Sequence, residues 1–272
     1  MKKLFSTAEY AFTKESEILR NLSSEKHRHN HLITLLATYK QSGKYYLVFP
    51  WAEADLEEFW RLNPVPPTDD RDMAKWLLDQ CQGLAEALSK IHRYDTRSDT
   101  TMPYQATRQS MTSRRLHSAP GVLRLFGRHG DIKSKNILWF PNSTPHCRYG
   151  VLKITDFGIA NFRVDDAGPT PEPPNSRTYR SPEWDLEPRR LSTLCDIWAL
   201  GCVYLVFMTW YFGGLEEVET FTKRRRADGC WNGFDNDHFF NTNTDERGVV
   251  KAKVKNTVIQ VSTFLIRKER KR

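Results

Sequence analysis

The run IWALGCVYLVFMTWYF, residues 197–212, carries no charge over 16 residues and limits what the chain can become. Apolar surface left in water forfeits roughly 25 cal/mol per Å², so a run of this kind must lie inside something. A bilayer needs about 20 consecutive apolar residues, and this run is shorter and carries Gly201 and Thr209. It reads as a central helix buried on all sides, with no membrane span, around which the remaining elements must pack. At 272 residues and 39% hydrophobic, the chain has material for a single bilobed domain, or for one domain with tails.

The elements available to cover that helix follow from residue spacing. AFTKESEILRNL places Phe12, Glu15, Ile18, Leu19 and Leu22 at helical intervals, with Glu15 at the edge of the apolar stripe. LITLLATY and KYYLVF are strand-like and joined by the turn signal QSG, which predicts a helix packed on a small antiparallel sheet. After the Pro-rich NPVPPTDD, Asp69 or Asp70 is placed to cap a long helix over RDMAKWLLDQCQGLAEALSKIH, residues 71–92. Residues 93–120 are rich in Ser, Thr, Arg and Gln and predict a flexible surface insertion. From Lys223 to the end the chain is charged, Asn-rich and weakly periodic.

Chemistry concentrates between the insertion and the apolar run. RHGDIKSKNIL, residues 128–138, precedes the strand NILWF, and KITDFGIA, residues 153–160, contains the end of the strand VLKIT. The intervening PNSTPHCRYG has turn chemistry, so the two strands are expected to pair as a hairpin. Asn136 before the first strand and Asp156 after the second then emerge at the same end. An amide oxygen and a carboxylate suit Mg²⁺, which takes one or two carboxylates together with substrate phosphates. Asp131 is placed to accept or orient the proton of an attacking hydroxyl, and Lys133 to neutralise a phosphoryl group in transfer. For each residue taken singly, a polar turn with carboxylates capping backbone amides remains the competing reading.

These residues carry a resemblance. HGDIKSKN is similar to the catalytic loop of eukaryotic protein kinases, H-R-D-L-x-x-x-N, and Asp156-Phe157-Gly158 to their D-F-G. Phe12 to Leu22 resembles the helix whose glutamate, here Glu15, pairs with the phosphate-binding lysine. KYYLVFPWA resembles the strand and hinge that hold adenine, with Phe49 at the gatekeeper position and Pro50, Trp51 and Ala52 as the hinge. Ser181-Pro182-Glu183 is similar to A-P-E, and DIWALGC at 196–202 to the start of the large helix of the C-lobe. The resemblance implies an α+β bilobed fold with a partial N-lobe and hinge over 1–52, a mainly helical C-lobe over 53–222, and a divergent basic segment over 223–272. It implies ATP and Mg²⁺ as cofactors and a protein serine or threonine hydroxyl as substrate, since Lys133 matches the Ser/Thr-type loop. Asp131 and Lys133 would be catalytic, Asn136 and Asp156 metal-binding, and Lys2, Glu15, Phe49, Trp51, Ala52 and Asp156 nucleotide-binding. Ser176 falls where the family lines its substrate pocket.

The sequence departs from the pattern at three places. No G-x-G-x-x-G precedes the strand MKKL, in which Lys2, or alternatively Lys3, stands at the phosphate-lysine position. Gly130 replaces the arginine of H-R-D, which removes the usual reader of an activation-loop phosphate. The final helices and the arginine that pairs with the A-P-E glutamate are not recognisable, so Glu183 is expected to lack that partner. Two readings therefore stand: an active Ser/Thr protein kinase domain, and a kinase-like binding module without catalysis.

The remaining signals bound the partners. A net charge of +8 favours anionic ones, but no aromatic residues interleave the basic runs KRRR (223–226) and RKERKR (267–272), so no single-strand nucleic-acid platform is expected. Those runs read as solvated basic faces on a poorly ordered tail. His27, His29 and His31 lack carboxylate or cysteine partners at metal-ligand spacing and read as structural, as does His146 beside Cys147. Five cysteines without a CxxC pair argue against a disulfide framework and for a cytoplasmic or nuclear setting. The opening MKKLFSTAEYAF has no uninterrupted apolar stretch, and no secretory signal is expected.

Overall fold

Alternation in the N-terminal third produces the expected sheet with one helix on it. The computed structural model describes residues 2–4, 9–67, 70–97, 122–141, 148–163, 177–229 and 236–269. Strand β1 (Lys2–Leu4) precedes helix α1 (Glu9–Leu22), and β2 (Ala37–Gln41) forms a hairpin with β3 (Lys44–Val48). The antiparallel order is β1-β3-β2. The hairpin turns through Ser42 and Gly43, both at positive φ (50° and 72°), the turn geometry whose twist matches that of paired strands. Tyr45 and Leu47 point inward from β3, and Tyr45 stacks on Phe12 of α1 with ring centroids 4.5 Å apart.

After β3, β4 (Ala54–Asp55) leads into α2 (Leu56–Leu62), where Asp55 caps by accepting the Glu58 N–H at 2.9 Å. Helix α3 (Arg71–His92) is capped by Asp70, whose carboxylate accepts the Asp72 N–H at 2.8 Å. Next come β5 (Tyr94–Arg97), β6 (Val122–Arg128), β7 (Ile137–Phe140), β8 (Val151–Ile154) and β9 (Asn161–Arg163). They form two three-stranded sheets, β4-β7-β8 and β5-β6-β9. The β5/β6 pair corrects the expectation of an irregular insertion from residue 93. YDTR and VLRL pair antiparallel, Tyr94 opposite Leu125, because Tyr, Thr and Val favour strands and each segment satisfies the backbone of the other. The remainder of that insertion lies outside the described residues.

The apolar run opens α4 (Leu194–Ala227), which is longer than its uncharged stretch. Gly214 interrupts it at φ 72°, ψ −172°. A side chain there would lie 2.6 Å from the Pro64 carbonyl oxygen, to which Leu215 donates at 2.8 Å. By length and composition α4 could cross a membrane, yet 61% of its most apolar window is buried within the chain. Phe59 brings the rings of Trp76, Trp139 and Trp210 together at 5.0–5.6 Å around the helix. Burial is not complete on all sides, as the run alone suggested: Ile197 is 53% exposed, because its face opens on a groove beside His92 and Phe126.

The C-terminal basic segment is also more ordered than its composition suggested. KRRR belongs to the last turns of α4, and the chain continues as the hairpin of β10 (Phe240–Thr244) and β11 (Val250–Val254), then α5 (Asn256–Glu269). Arg225 is buried with its guanidinium over Phe221 and Phe239, 4.8 and 4.2 Å from the ring centroids. Lys255, also buried, donates to the carbonyls of Arg225 and Asn236 at 2.7 and 2.5 Å. Ring faces and helix-end carbonyls accept cations inside a core, an arrangement that charge counting does not reveal.

The segment 31–33 joins the N-terminal sheet to the C-terminal region. His31 and Ile33 exchange backbone hydrogen bonds with Ile154 of β8: Ile154 donates to the His31 carbonyl at 2.8 Å and Ile33 to that of Ile154 at 2.9 Å. The His31 ring bonds through Nδ1 to the Leu152 carbonyl at 2.8 Å. A carbonyl only accepts, so Nδ1 carries the proton. Among the described residues no cluster of three or more metal-ligating side chains occurs; His146 and Cys147 lie outside them. Burial lowers the pKa of His31 and of His238, each to about 4. The unfolded chain takes up protons near the ordinary value of about 6.5 and the folded chain does not, so stability is full above that value and declines down to the folded one. The thermal midpoint is therefore expected to fall by several degrees between about pH 7 and about pH 5; scanning calorimetry showing no change would contradict this.

Candidate active site

Strand β6 delivers the chain to His129, and the backbone that follows is held by one buried carboxylate. Asp196, in the first turn of α4, accepts the N–H of His129 at 2.7 Å and that of Gly130 at 2.8 Å. His92 at the end of α3 adds a third contact, Nε2 to Oδ2 at 3.1 Å. Gly130 has φ 83°, a conformation that admits glycine without strain; the sequence departure at this position thus fits the local backbone. In the sequence Asp196 stands out only as the start of a helix. Its signal was an aspartate beginning an apolar run, which is ambiguous with an ordinary N-terminal acidic residue.

His129 is fully buried and works as a neutral connector. Its Nε2 lies 2.9 Å from the Thr155 carbonyl and must carry the hydrogen, which leaves Nδ1 to accept the Asp131 N–H at 3.3 Å. Burial lowers its pKa, while the charge of Asp196 acts in the opposite direction. The ring meets Phe157 edge-on at 5.0 Å. One imidazole thus ties the loop bearing Asp131 to the end of β8 and to the residue after Asp156.

The short 3-10 turn Ser134–Asn136 brings three of the expected residues into contact. Lys133 Nζ donates to Asp131 Oδ2 at 2.6 Å. Asn136 Nδ2 donates to the same oxygen at 2.9 Å and to the Asp131 carbonyl at 2.8 Å. Among the described residues these side-chain bonds to the carboxylate all fall on Oδ2, which leaves Oδ1 open to a further proton donor. Because Asn136 uses its nitrogen on Asp131, its amide oxygen is the atom left for a cation.

The hairpin forms in the register that Asn136 and Asp156 require. Ile137 faces Ile154, and Thr155 donates to the Asn136 carbonyl at 2.9 Å, so the two residues leave the sheet at the same end. Asp156 adopts a left-handed backbone, φ 67°, uncommon outside glycine and tolerated by Asp. Its Oδ1 accepts the Gly158 N–H at 3.4 Å, while Phe157 is buried in the core. That reversal sends Phe157 inward and leaves the Asp156 carboxylate part-exposed. An amide oxygen and a carboxylate at one strand end fit a hard divalent cation whose shell is completed by phosphate and water.

The expected nucleotide residues are less closely gathered. Lys2 lies in β1 opposite Leu47, and its side chain, like that of Lys3, is outside the described set, as is Ser176. Glu15 is buried on α1. Phe49 and Ala52 pack partly against the core, whereas Trp51 is 84% exposed; the segment 49–52 is therefore anchored on both sides of a projecting tryptophan. Glu183 has a buried Oε2 with no hydrogen-bond partner among the described residues.

Comparison with known proteins places the chain in a family. Residues 122–260, just over half the chain, match a family model described as the protein kinase domain. Cyclin-dependent kinase 2 of Caenorhabditis elegans is 29% identical over 191 residues, covering 70% of this chain and 41% of that protein. The glycogen synthase kinase-3 homolog YGK3 of Saccharomyces cerevisiae is 43% identical over 75 residues, 28% of this chain and 18% of that one. Cyclin-dependent kinase-like 4 of Homo sapiens is 24% identical over 182 residues, 67% of this chain and 36% of that one. The chain thus spans less than half the length of these relatives.

The arrangement makes Asp196 the test of the site's construction. Replacing a buried carboxylate that takes three donors leaves at least one of them unpaired, so Asp196→Ala is expected to destabilise the fold by about 3–5 kcal/mol. Urea unfolding followed by tryptophan fluorescence measures this; a change of less than about 1 kcal/mol would remove Asp196 from that role.

Proposed function

The chain belongs to the protein kinase domain family, and on that premise we propose that it transfers the γ-phosphoryl group of ATP to a serine or threonine hydroxyl of a protein. The observation that carries this reading is the asymmetric use of Asp131, with Lys133 and Asn136 both on Oδ2. Oδ1 is then the oxygen that receives the substrate hydroxyl proton. The hydroxyl oxygen forms the new bond to phosphorus as the bond from phosphorus to the β–γ bridging oxygen breaks, and ADP leaves with that electron pair. Lys133, held within 2.6 Å of the base, supplies positive charge beside the oxygens of the group in transfer.

Asn136 and Asp156 are the residues that would hold Mg²⁺, through the amide oxygen and the carboxylate. When bound, the metal would neutralise charge on the phosphate oxygens and hold them in line. Lys2 with Glu15 is assigned to the phosphates, and Phe49, Trp51 and Ala52 to adenine. The rate enhancement asked of the protein is largely positioning and electrostatics, and a cluster anchored on α4 provides a rigid platform for both. The reading as a binding module has weaker support, because the chain retains Asp131, Lys133, Asn136 and Asp156 and places the first three in one hydrogen-bonded unit. A cytoplasmic or nuclear setting rests on the unpaired thiols of Cys81, Cys195 and Cys202.

Incubated with γ-labelled ATP, Mg²⁺ and a mixed protein substrate, the chain should label serine or threonine, and Asp131→Asn should reduce the rate by about 10²–10⁴-fold. Wild-type labelling in that variant would remove Asp131 as the base. ATP should also raise the thermal midpoint more with Mg²⁺ than without it, and Asp156→Ala should abolish the metal-dependent part. Absence of any shift with ATP in either condition would count against nucleotide binding.

A further inference from the structure

Side chains leave the turn at residues 133–136 in three directions. Lys133 and Asn136 turn back onto Asp131, and Lys135 reaches Glu57 of α2 at 4.0 Å. Ser134, only 2% exposed, meets the hydroxyl of Tyr179 at 3.2 Å, 45 residues along the chain. The two outward contacts differ in weight. The Lys135 pair lies at the surface, its lysine side chain 63% exposed, where an ion pair contributes little. A buried hydroxyl that loses its partner bears the full cost of desolvation, so the bond to Tyr179 is the side-chain tether that restrains the turn.

Tyr179 is itself held from the other side. Its ring stacks on that of Phe239, with centroids 6.0 Å apart and planes at 28°. Phe239 is buried, meets Phe221 edge-on at 6.0 Å, and has its carbonyl fixed by the Lys255 N–H at 3.1 Å. The backbone beside Tyr179 is braced as well: the Arg180 N–H donates to the Arg177 carbonyl at 3.1 Å, and its guanidinium to Asp185 at 2.6 Å. Burial pushes the Tyr179 phenol up to about 12, so its hydrogen stays in place at any working pH.

The loop and this segment also face each other directly. Gly130, Asp131 and Ile132 share the lining of a cavity of about 20 Å³ with Tyr179, Arg180 and Ser181. We propose that Tyr179 is a positioning residue for phosphoryl transfer: through Ser134 Oγ it ties the turn bearing Lys133 and Asn136 to Phe239 at the entry of β10, and so keeps both donors on Oδ2 of Asp131. A turn free to shift would release one donor or the other, and Oδ1 would no longer be singled out for the substrate proton. The role rests on the kinase reading above for the identity of Asp131 as the base.

Tyr179→Phe removes one hydroxyl and keeps the ring on Phe239, and Ser134→Ala removes the other half of the bond. The two single variants and the double variant of the full chain are compared in two measurements. By hydrogen exchange, the Asn136 N–H, which closes the turn on the Lys133 carbonyl at 2.9 Å, is expected to exchange about 3–10-fold faster in each single variant. The double variant should show no further gain, and the amides of β7 and β8 should keep their rates. With γ-labelled ATP and a protein substrate, kcat is expected to fall by about the same 3–10-fold while the KM for ATP stays within about twofold. Unchanged exchange at Asn136 in both single variants overturns the proposal, as do effects that multiply in the double variant or a rise shared by β7 and β8. Faster exchange with wild-type kcat overturns the positioning role. If the unmodified chain transfers no phosphate, the kinase reading falls, and exchange at Asn136 alone upholds or overturns the tether.

Discussion

The carboxylate of Asp196 is the contact on which the site depends. It sits at the start of the long apolar helix α4 and accepts two successive backbone N–H groups of the loop that carries Asp131. The N-terminal end of a helix favours negative charge, and three donors replace the water the carboxylate loses on burial. Because α4 is fixed by the aromatic cluster around Phe59, the loop inherits the rigidity of the core. From there His129 carries the constraint onward to the end of β8 and to Phe157, so the two halves of the site are set relative to each other by one imidazole.

Strand β8 serves both regions of the molecule. On one side its register with β7 places Asn136 and Asp156 at a common end. On another it exchanges hydrogen bonds with residues 31–33, which connect α1 to the N-terminal sheet. A displacement of that segment would therefore be felt at Asp156 through a chain of short bonds. The hydrogen-bonded cluster is local, made by Asp131, Lys133 and Asn136 within six residues of sequence, whereas its placement is long-range.

Much of this was legible in the residue order. The hairpin around 137–154 follows from two short apolar strands and a turn, the α3 cap from an aspartate before a long helical period, and the Asp131-Lys133-Asn136 unit from spacing that a tight turn compresses into contact. The strand pair β5/β6 was not legible, because its partners are separated by a long polar insertion and neither alternates strongly enough to stand out. The packing of Arg225 and Lys255 was missed for a different reason: a basic run signals solvent unless the rings and carbonyls that receive it are known, and Phe239 and Asn236 reach these cations only through the return of the chain.

The sequence by itself determined which side chains were available: a loop and a turn carrying Asp131, Lys133, Asn136 and Asp156, and an apolar helix that had to be central. Both are properties of neighbouring residues, fixed by periodicity and side-chain type. Only the tertiary structure decided that Asp196 anchors the loop, that Gly130 suits a left-handed backbone, and that Ser134 meets Tyr179. Those outcomes depend on groups far apart in the chain meeting at hydrogen-bond distance, and such meetings are set by the packing of whole elements.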